Sequence, residues 1–200
     1  MKRIFITVIF IIAIVSFFLF FKKINYKNIK NGNNIISNST EENILNMNSY
    51  KAQIEVTVNS NKNTNKYIIK QEYKENDYAM QEVLQPENIA GVKFNYKNNK
   101  LTIENTKLNL QTIYENYQYM GNNNLFLDSF IEDYKQDENA KREENEEQII
   151  LKAKISQPNK YMATKKLFIS KKTGKPIKLE VQDTTQNISV YILYNEIEIN

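Results

Sequence analysis

The chain has 200 residues, enough for one domain and a tail. It has no cysteine and no histidine, which excludes disulfides, thiolate or imidazole zinc sites, Ser-His-Asp and Cys-His catalytic groups and the HExxH motif. Its 27 Lys and Arg against 23 Asp and Glu give +4, but residues 1–40 hold six of the bases and no acid, so 27 less 6 leaves 21 bases against 23 acids and a remainder at −2, which argues against a nucleic-acid surface.

Residues 1–3 are a short basic start. Ile4 to Phe21 is apolar except for Thr7 and Ser16. As a helix rising ~1.5 Å per residue it is about 27 Å long, close to the bilayer core. A cleaved signal peptide would have a shorter apolar run and small residues at the cut. This run ends Phe17-Phe18-Leu19-Phe20-Phe21-Lys22-Lys23, which favours an uncleaved transmembrane anchor. Bases on both flanks leave the orientation open by charge alone. The domain is expected outside the cytoplasm, the usual topology for a sheet domain tethered by one N-terminal apolar segment. Residues 22–38, with Asn31-Gly32-Asn33-Asn34, read as a polar tether.

Residues 39–200 are expected to form the folded domain. Ser39-Thr40-Glu41-Glu42 fits a capping box with Ser39 as N-cap, opening a short helix to about Asn48. Ser49 to Asn59 is a clean strand, with Ala52, Ile54, Val56 and Val58 alternating with polar residues. Lys66 to Lys74 and Asp77 to Gln85 are further strands, the latter ended by Pro86. Val92, Phe94 and Tyr96 alternate up to Asn98-Asn99, a hairpin signal, and Leu101 and Ile103 run back. Leu108 to Met120 has no firm period and reads as irregular cover over one mouth of the sheet. Leu127, Phe130, Ile131 and Tyr134 fall at i, i+3, i+4 and i+7, a helix laid on a core by one stripe. Asp137 to Glu147 reads as a solvated helix end and loop. Ile149 to Ile155 is a strand, and Pro158-Asn159 a turn. Leu167 to Tyr194 is a three-stranded meander broken at Thr173-Gly174-Lys175-Pro176 and at Asp183 to Asn187.

The sum is nine or ten strands and two helices. A long antiparallel sheet must curl or split, and two helices suffice to plug one face. The expected architecture is α+β: a curled antiparallel sheet, an open half-barrel, with helices packed on its apolar concave face.

That order of elements resembles the LolA-like superfamily, the fold of periplasmic lipoprotein carriers and of related anti-sigma-factor-binding sensors. The matching segments are the N-terminal helix running into SYKAQIEVTV, the turn Gln85-Pro86-Glu87-Asn88-Ile89-Ala90-Gly91 before VKFNYKNNKLTI, and the closing LFISKKTGKPIKLEVQD. Within that group the Tyr-, Asn- and Lys-rich sequence is similar to the GerS family of germination lipoproteins of spore-forming anaerobes and its membrane-associated relatives. The resemblance implies a non-enzymatic extracytoplasmic protein that binds and supports an N-acetylmuramoyl-L-alanine amidase in spore cortex modification. A lipoprotein of that family carries an N-terminal cysteine; this chain has none, and an uncleaved helix would do the same tethering.

Candidate chemistry is sparse, and no catalytic residue, cofactor or metal site is expected. Glu55, Glu72 and Glu82 lie in or near strands where carboxylates could meet, but Glu55 has the outward phase. No G-x-S-x-G elbow is present. Tyr67, Tyr73, Tyr78, Phe94, Tyr96, Phe126, Phe130 and Tyr134 either line an apolar cavity for an acyl chain or simply pack a core, the plainer account. The final strand, with Val190, Tyr191, Ile192, Tyr194 and Ile197, has little charge and no proline. It is expected to be an interaction edge, open to a partner or to a strand-swapped homodimer. Three readings follow: partner or regulator of a cell-wall amidase, lipid or lipoprotein carrier, and sensor regulating a membrane signalling protein.

Overall fold

The computed structural model describes residues 34–60, 62–117 and 123–200. The chain divides into two units, Met1–Asn38 and Ser39–Asn200. Of the first, only the opening residues of helix α1 (Asn34–Leu45) are described. The expected anchor over residues 4–21 lies outside the described residues. Among those described, no helix is long and apolar enough to cross a membrane. Helix α1 already runs at Asn34, so Ser39 sits inside it and is not its N-cap. A stretch without Gly or Pro continues as helix because Ser and Asn cost well under ~1 kcal/mol there.

Among the described residues, eleven strands form one antiparallel sheet, more than the nine or ten expected. β1 (Ser49–Asn59), β2 (Thr64–Lys74), β3 (Tyr78–Gln85), β4 (Val92–Lys97), β5 (Lys100–Asn105) and β6 (Leu110–Tyr114) meander outwards in chain order. Helix α2 (Leu127–Gln136) follows. Then β7 (Lys141–Glu144), β8 (Gln148–Asn159), β9 (Met162–Ser170), β10 (Pro176–Gln182) and β11 (Ile188–Ile199) meander back, so that β11 closes on β1.

That closure overturns the expected interaction edge. β11 lies between β1 and β10, paired with β1 from Val190 to Ile199 and with β10 from Ile188 to Leu193. Val190, Ile192, Tyr194 and Ile197 are buried core residues. Tyr191 points to the other face, where the Lys178 ammonium lies 5.6 Å from its ring centre. The open edges are β6 and β7. The last strand in sequence is therefore central in space, and the basis for a swapped strand falls away.

Both edge strands lie where irregular chain was expected. All five residues of β6 and all four of β7 are exposed. With no buried face, nothing in sequence imposes period two. β7 is charged throughout, the usual protection of an edge. Pro158 falls inside β8 rather than in a turn. The β8–β9 ladder breaks between Lys154 and Asn159, where a residue lacking N–H is tolerated.

Other local signals act as their chemistry requires. Asn98 and Asn99 have φ of 53° and 57°, the two positive values of a type I′ hairpin. Gly91 has φ +87°, and a Cβ there would lie 2.5 Å from Thr106 Oγ1. Glycine lets the chain entering β4 pass close to Thr106, just past the end of β5.

Burial alternates along β1, β8 and β9, leaving one apolar face. Ile54, Ile149, Leu151, Leu167, Leu179 and Ile192 on that face are fully buried. Each such side chain contributes about 1.5–3 kcal/mol relative to exposure. Leu127, Phe130 and Ile131 of α2 join them, as the helical spacing predicts. Helix α2 packs over the β8–β11 side, bonded through Lys165 of β9 and Ser156 of β8. The β1–β5 side keeps less cover, and that difference positions the site.

Candidate functional site

Among the described residues, the part of the concave face that α2 leaves open forms an apolar groove of about 570 Å³, within the ~300–1,000 Å³ range of small-molecule sites. Its floor is built by strand alternation: Val56 and Val58 from β1, Tyr67 and Ile69 from β2, and Ala79, Gln81 and Val83 from β3. Phe94 and Tyr96 of β4 and Leu101 of β5 continue it towards the open edge. Leu125 and Phe126, leading into α2, form the facing wall. The Tyr117 ring meets the Tyr96 ring edge to face, with centroids 6.3 Å apart. Beyond the groove, Leu110 and Tyr114 share the phase of Leu101 across the β5–β6 pairing and are exposed.

Of the aromatic residues singled out in sequence, Tyr67, Phe94, Tyr96 and Phe126 line the groove. Tyr73, Phe130 and Tyr134 do not. Phe130 is fully buried and stacks on Tyr134 at 5.8 Å, while Tyr73 stacks on Tyr50 at 5.7 Å. These three are core packing. Tyr78 faces the other way, with its hydroxyl 3.4 Å from Glu72 Oε2. Aliphatic residues make up much of the rest, and these had not been singled out. Gln81 was readable: it shares phase with Ala79 and Val83, a polar residue on an otherwise apolar face.

Two glutamines sit side by side on this face, paired across β2 and β3, and they differ in one respect. In Gln71 both polar atoms of the side-chain amide have partners. Tyr50 Oη donates to its Oε1 at 3.2 Å, and its Nε2 donates to the Leu125 carbonyl at 3.0 Å. Leu127 N–H donates to Tyr50 Oη at 3.1 Å, satisfying one amide at the start of α2. Gln81 is 6% exposed, and its Nε2 has no hydrogen-bond partner. Among the described residues, no Asp, Glu, Lys or Arg lines the groove.

The candidate carboxylates do not meet. Glu72 lies between Lys70 at 3.3 Å and Lys51 at 3.5 Å. Burial pushes its carboxyl up, but the two ammonium groups outweigh that and hold it below the ordinary value. Glu55 pairs with Lys66 at 3.7 Å and Glu82 with Lys93 at 3.7 Å. Each carboxylate has its own lysine across the strand, a sheet-surface arrangement without a general acid/base pair.

One buried polar cluster escaped the sequence reading. Lys165, fully buried on β9, donates to Asp133 Oδ2 at 2.7 Å, Ser129 Oγ at 2.8 Å and the Ser129 carbonyl at 3.1 Å. These contacts use all three ammonium N–H groups. Asp133 also accepts from Ser156 N–H at 2.9 Å and from Ser156 Oγ. Burial lowers the Lys165 pKa from its ordinary value, and Asp133 opposes that. A serine beside a lysine has the composition of a nucleophile and its base. Here neither can meet a substrate, since Ser129 is 1% exposed and Lys165 0%. The cluster instead fastens α2 to β8 and β9.

Comparison with known proteins gives the chain a family. Among solved structures, the chain is similar to the GerS lipoprotein in the complex with the CwlD amidase from Clostridioides difficile. Identity is 26% and TM-score 0.54, covering 86% of this chain and 98% of that one. An uncharacterized conserved protein from Thermus thermophilus shares the fold at 10% identity and TM-score 0.52, over 82% of this chain and 87% of that one. A LolA superfamily protein from Nitrosomonas europaea matches at 10% identity and TM-score 0.42, over 82% and 93%. No match is found among curated proteins. The similarity to GerS expected from the residues is thus met. A model of the family described as sporulation protein YdcC-like matches residues 1–200, and the chain belongs to that family.

Proposed function

We propose that the chain is a non-enzymatic, membrane-anchored binding protein acting outside the cytoplasm. Its partner is an N-acetylmuramoyl-L-alanine amidase that modifies spore cortex peptidoglycan for germination. The observation carrying this reading is the similarity, over 86% of the chain, to GerS in a complex with an amidase. Membership of a sporulation family agrees with it. The lack of histidine and the inaccessibility of the Ser129–Lys165 pair support a binding role over a catalytic one. The apolar segment Ile4–Phe21 supplies the tether in place of a lipid-bearing cysteine. Deleting the gene tests the role: spores should assemble but fail to complete cortex hydrolysis, and a plasmid copy should restore it. Normal germination of the deletion strain would contradict it.

The groove supports a second reading, an acyl-chain carrier. A protein that only docks a partner has no need of an apolar groove of about 570 Å³. Native mass spectrometry of the full chain released from nanodiscs tests this, with retained lipid as the expected mass increment and a bare polypeptide as the contrary result. The sensor reading has no observation of its own.

A further inference from the structure

We propose that β6 is the strand on which the amidase docks, by adding an extended, uncharged and largely apolar segment of its own to the open edge of the sheet. The inference deepens the amidase reading and rests on it.

The edge itself is the first observation. β6 ends the sheet, and among the described residues no strand pairs with its outer side. Along such an edge the N–H and C=O groups of alternate residues point outwards unpaired. The second is the contrast between the two edges. β7 reads Lys-Arg-Glu-Glu, and its side chains are held in ion pairs: Arg142 with Glu41 and, at 2.8 Å, with Glu144, and Glu143 with Lys152 at 2.7 Å. β6 reads Leu-Gln-Thr-Ile-Tyr, with no charge and no proline, and its pairing with β5 runs from Leu101–Tyr114 to Asn105–Leu110 without a bulge. It therefore lacks the usual devices against edge pairing. The third is apolar exposure. Leu108, Leu110, Ile113, Tyr114 and Tyr117 make five of the seven large hydrophobic residues exposed among those described. Leu110 and Tyr114 share the phase of Leu101, and Ile113 has the phase of Thr102 on the other face. An added strand would find an apolar neighbour on each face.

These features choose the occupant. A lipid surface cannot pair the open peptide groups, and sheet edges do not enter hydrocarbon. A charged strand would find no countercharge, because the flanking Lys100 and Glu115 are already paired with each other at 2.9 Å. A second copy of this chain, pairing antiparallel about Thr112, would set Ile113 against Gln111 and bring only the same five residues. A strand contact of that length, ~17 Å, falls on its own below the ~1,200 Å² at which stable interfaces begin. The amidase is a different protein, free to match Ile113 with an apolar side chain and to add contact beyond the strand. Strand addition would supply affinity through main-chain bonds and specificity through alternate side chains.

The test titrates the full-length chain in nanodiscs against the N-acetylmuramoyl-L-alanine amidase encoded in the same genome. Binding is read by interferometry, and amide exchange residue by residue by mass spectrometry. The variants are Leu110→Lys, Ile113→Lys, Ile113→Glu and Leu101→Trp, each checked for folding by circular dichroism. The first three place a charge at an exposed position of β6. Leu101→Trp fills the groove from β5 and leaves the outer side of β6 open. Each charge should weaken binding about tenfold, since the added strand would bury it without a partner. Lysine and glutamate at position 113 should act alike, which a simple charge match between two surfaces would not give. In the complex every second amide of β6 should slow about tenfold, because only the outward N–H groups gain a partner. Leu101→Trp should bind as the wild type does. Amidase binding that ignores all three charges, or β6 exchange unchanged in the complex, overturns the docking strand and leaves the amidase reading in place. Protection of β6 that rises with the concentration of this chain alone assigns the edge to a second copy and overturns the docking strand too. A folded wild-type chain that does not bind the folded amidase overturns the amidase reading together with this inference.

Discussion

Two buried polar side chains in the concave face make opposite predictions. Tyr194 is 7% exposed, its hydroxyl has no hydrogen-bond partner, and burial, with Asp128 second, raises its pKa well above the ordinary value. Tyr194→Phe should therefore stabilise the fold by about 1 kcal/mol at neutral pH, since an unpaired hydroxyl is removed. The pH sign follows from the raised pKa. The unfolded tyrosine releases its proton near pH 10 while the folded one keeps it, so stability is intact below that point and falls as pH rises above it. Urea melts between pH 7 and 11 should show a shallower alkaline loss in Tyr194→Phe. Tyr73, raised chiefly by burial, retains part of that loss. Lys165 behaves otherwise because it is fully paired. Lys165→Met should cost about 3–5 kcal/mol by leaving Asp133 buried without its cation, and adding Asp133→Leu should recover much of it. A double-mutant cycle by urea denaturation measures the coupling, and additive losses would refute it.

Elements with one buried face were legible in the sequence, and those without were not. β1 is bounded as its alternation implies, and the stripe of Leu127, Phe130 and Ile131 gave α2. β6 and β7 were missed because both their faces are exposed, and β11 was misplaced because period two reports a buried face, not the neighbours in the sheet. At the candidate site, four of the eight aromatic residues singled out, Tyr67, Phe94, Tyr96 and Phe126, line the groove, and Tyr78 faces away from it. The other three share the same face but lie under or on α2, whose position local pattern does not encode. Two predictions belong to this scale. Hydrogen exchange should be fastest in the edge strands β6 and β7 and slowest in β1 and β11, which are bonded on both sides. Tyr50→Phe should cost about 1–3 kcal/mol by orphaning the Leu127 amide and Gln71 Oε1. The accompanying rise in exchange should be concentrated at the start of α2, and an increase spread evenly over the sheet would count against it.

For the molecule as a whole, α2 covers one side of the curled sheet, and among the described residues a groove remains between β1 and β5 while the rest of the concave face is core. The family is one of sporulation, and similarity to GerS in its amidase complex carries the proposed partnership. The groove and the partnership are separable, since a filled groove need not change the surface an amidase meets. Leu101→Trp is thus expected to remove lipid and leave amidase binding within twofold. The central claim is tested most directly by titrating the full-length chain in nanodiscs against the N-acetylmuramoyl-L-alanine amidase encoded in the same genome, with association read by interferometry. The account predicts saturable binding that survives in the Leu101→Trp variant. A folded chain that gives no binding at any concentration of the folded amidase would contradict it.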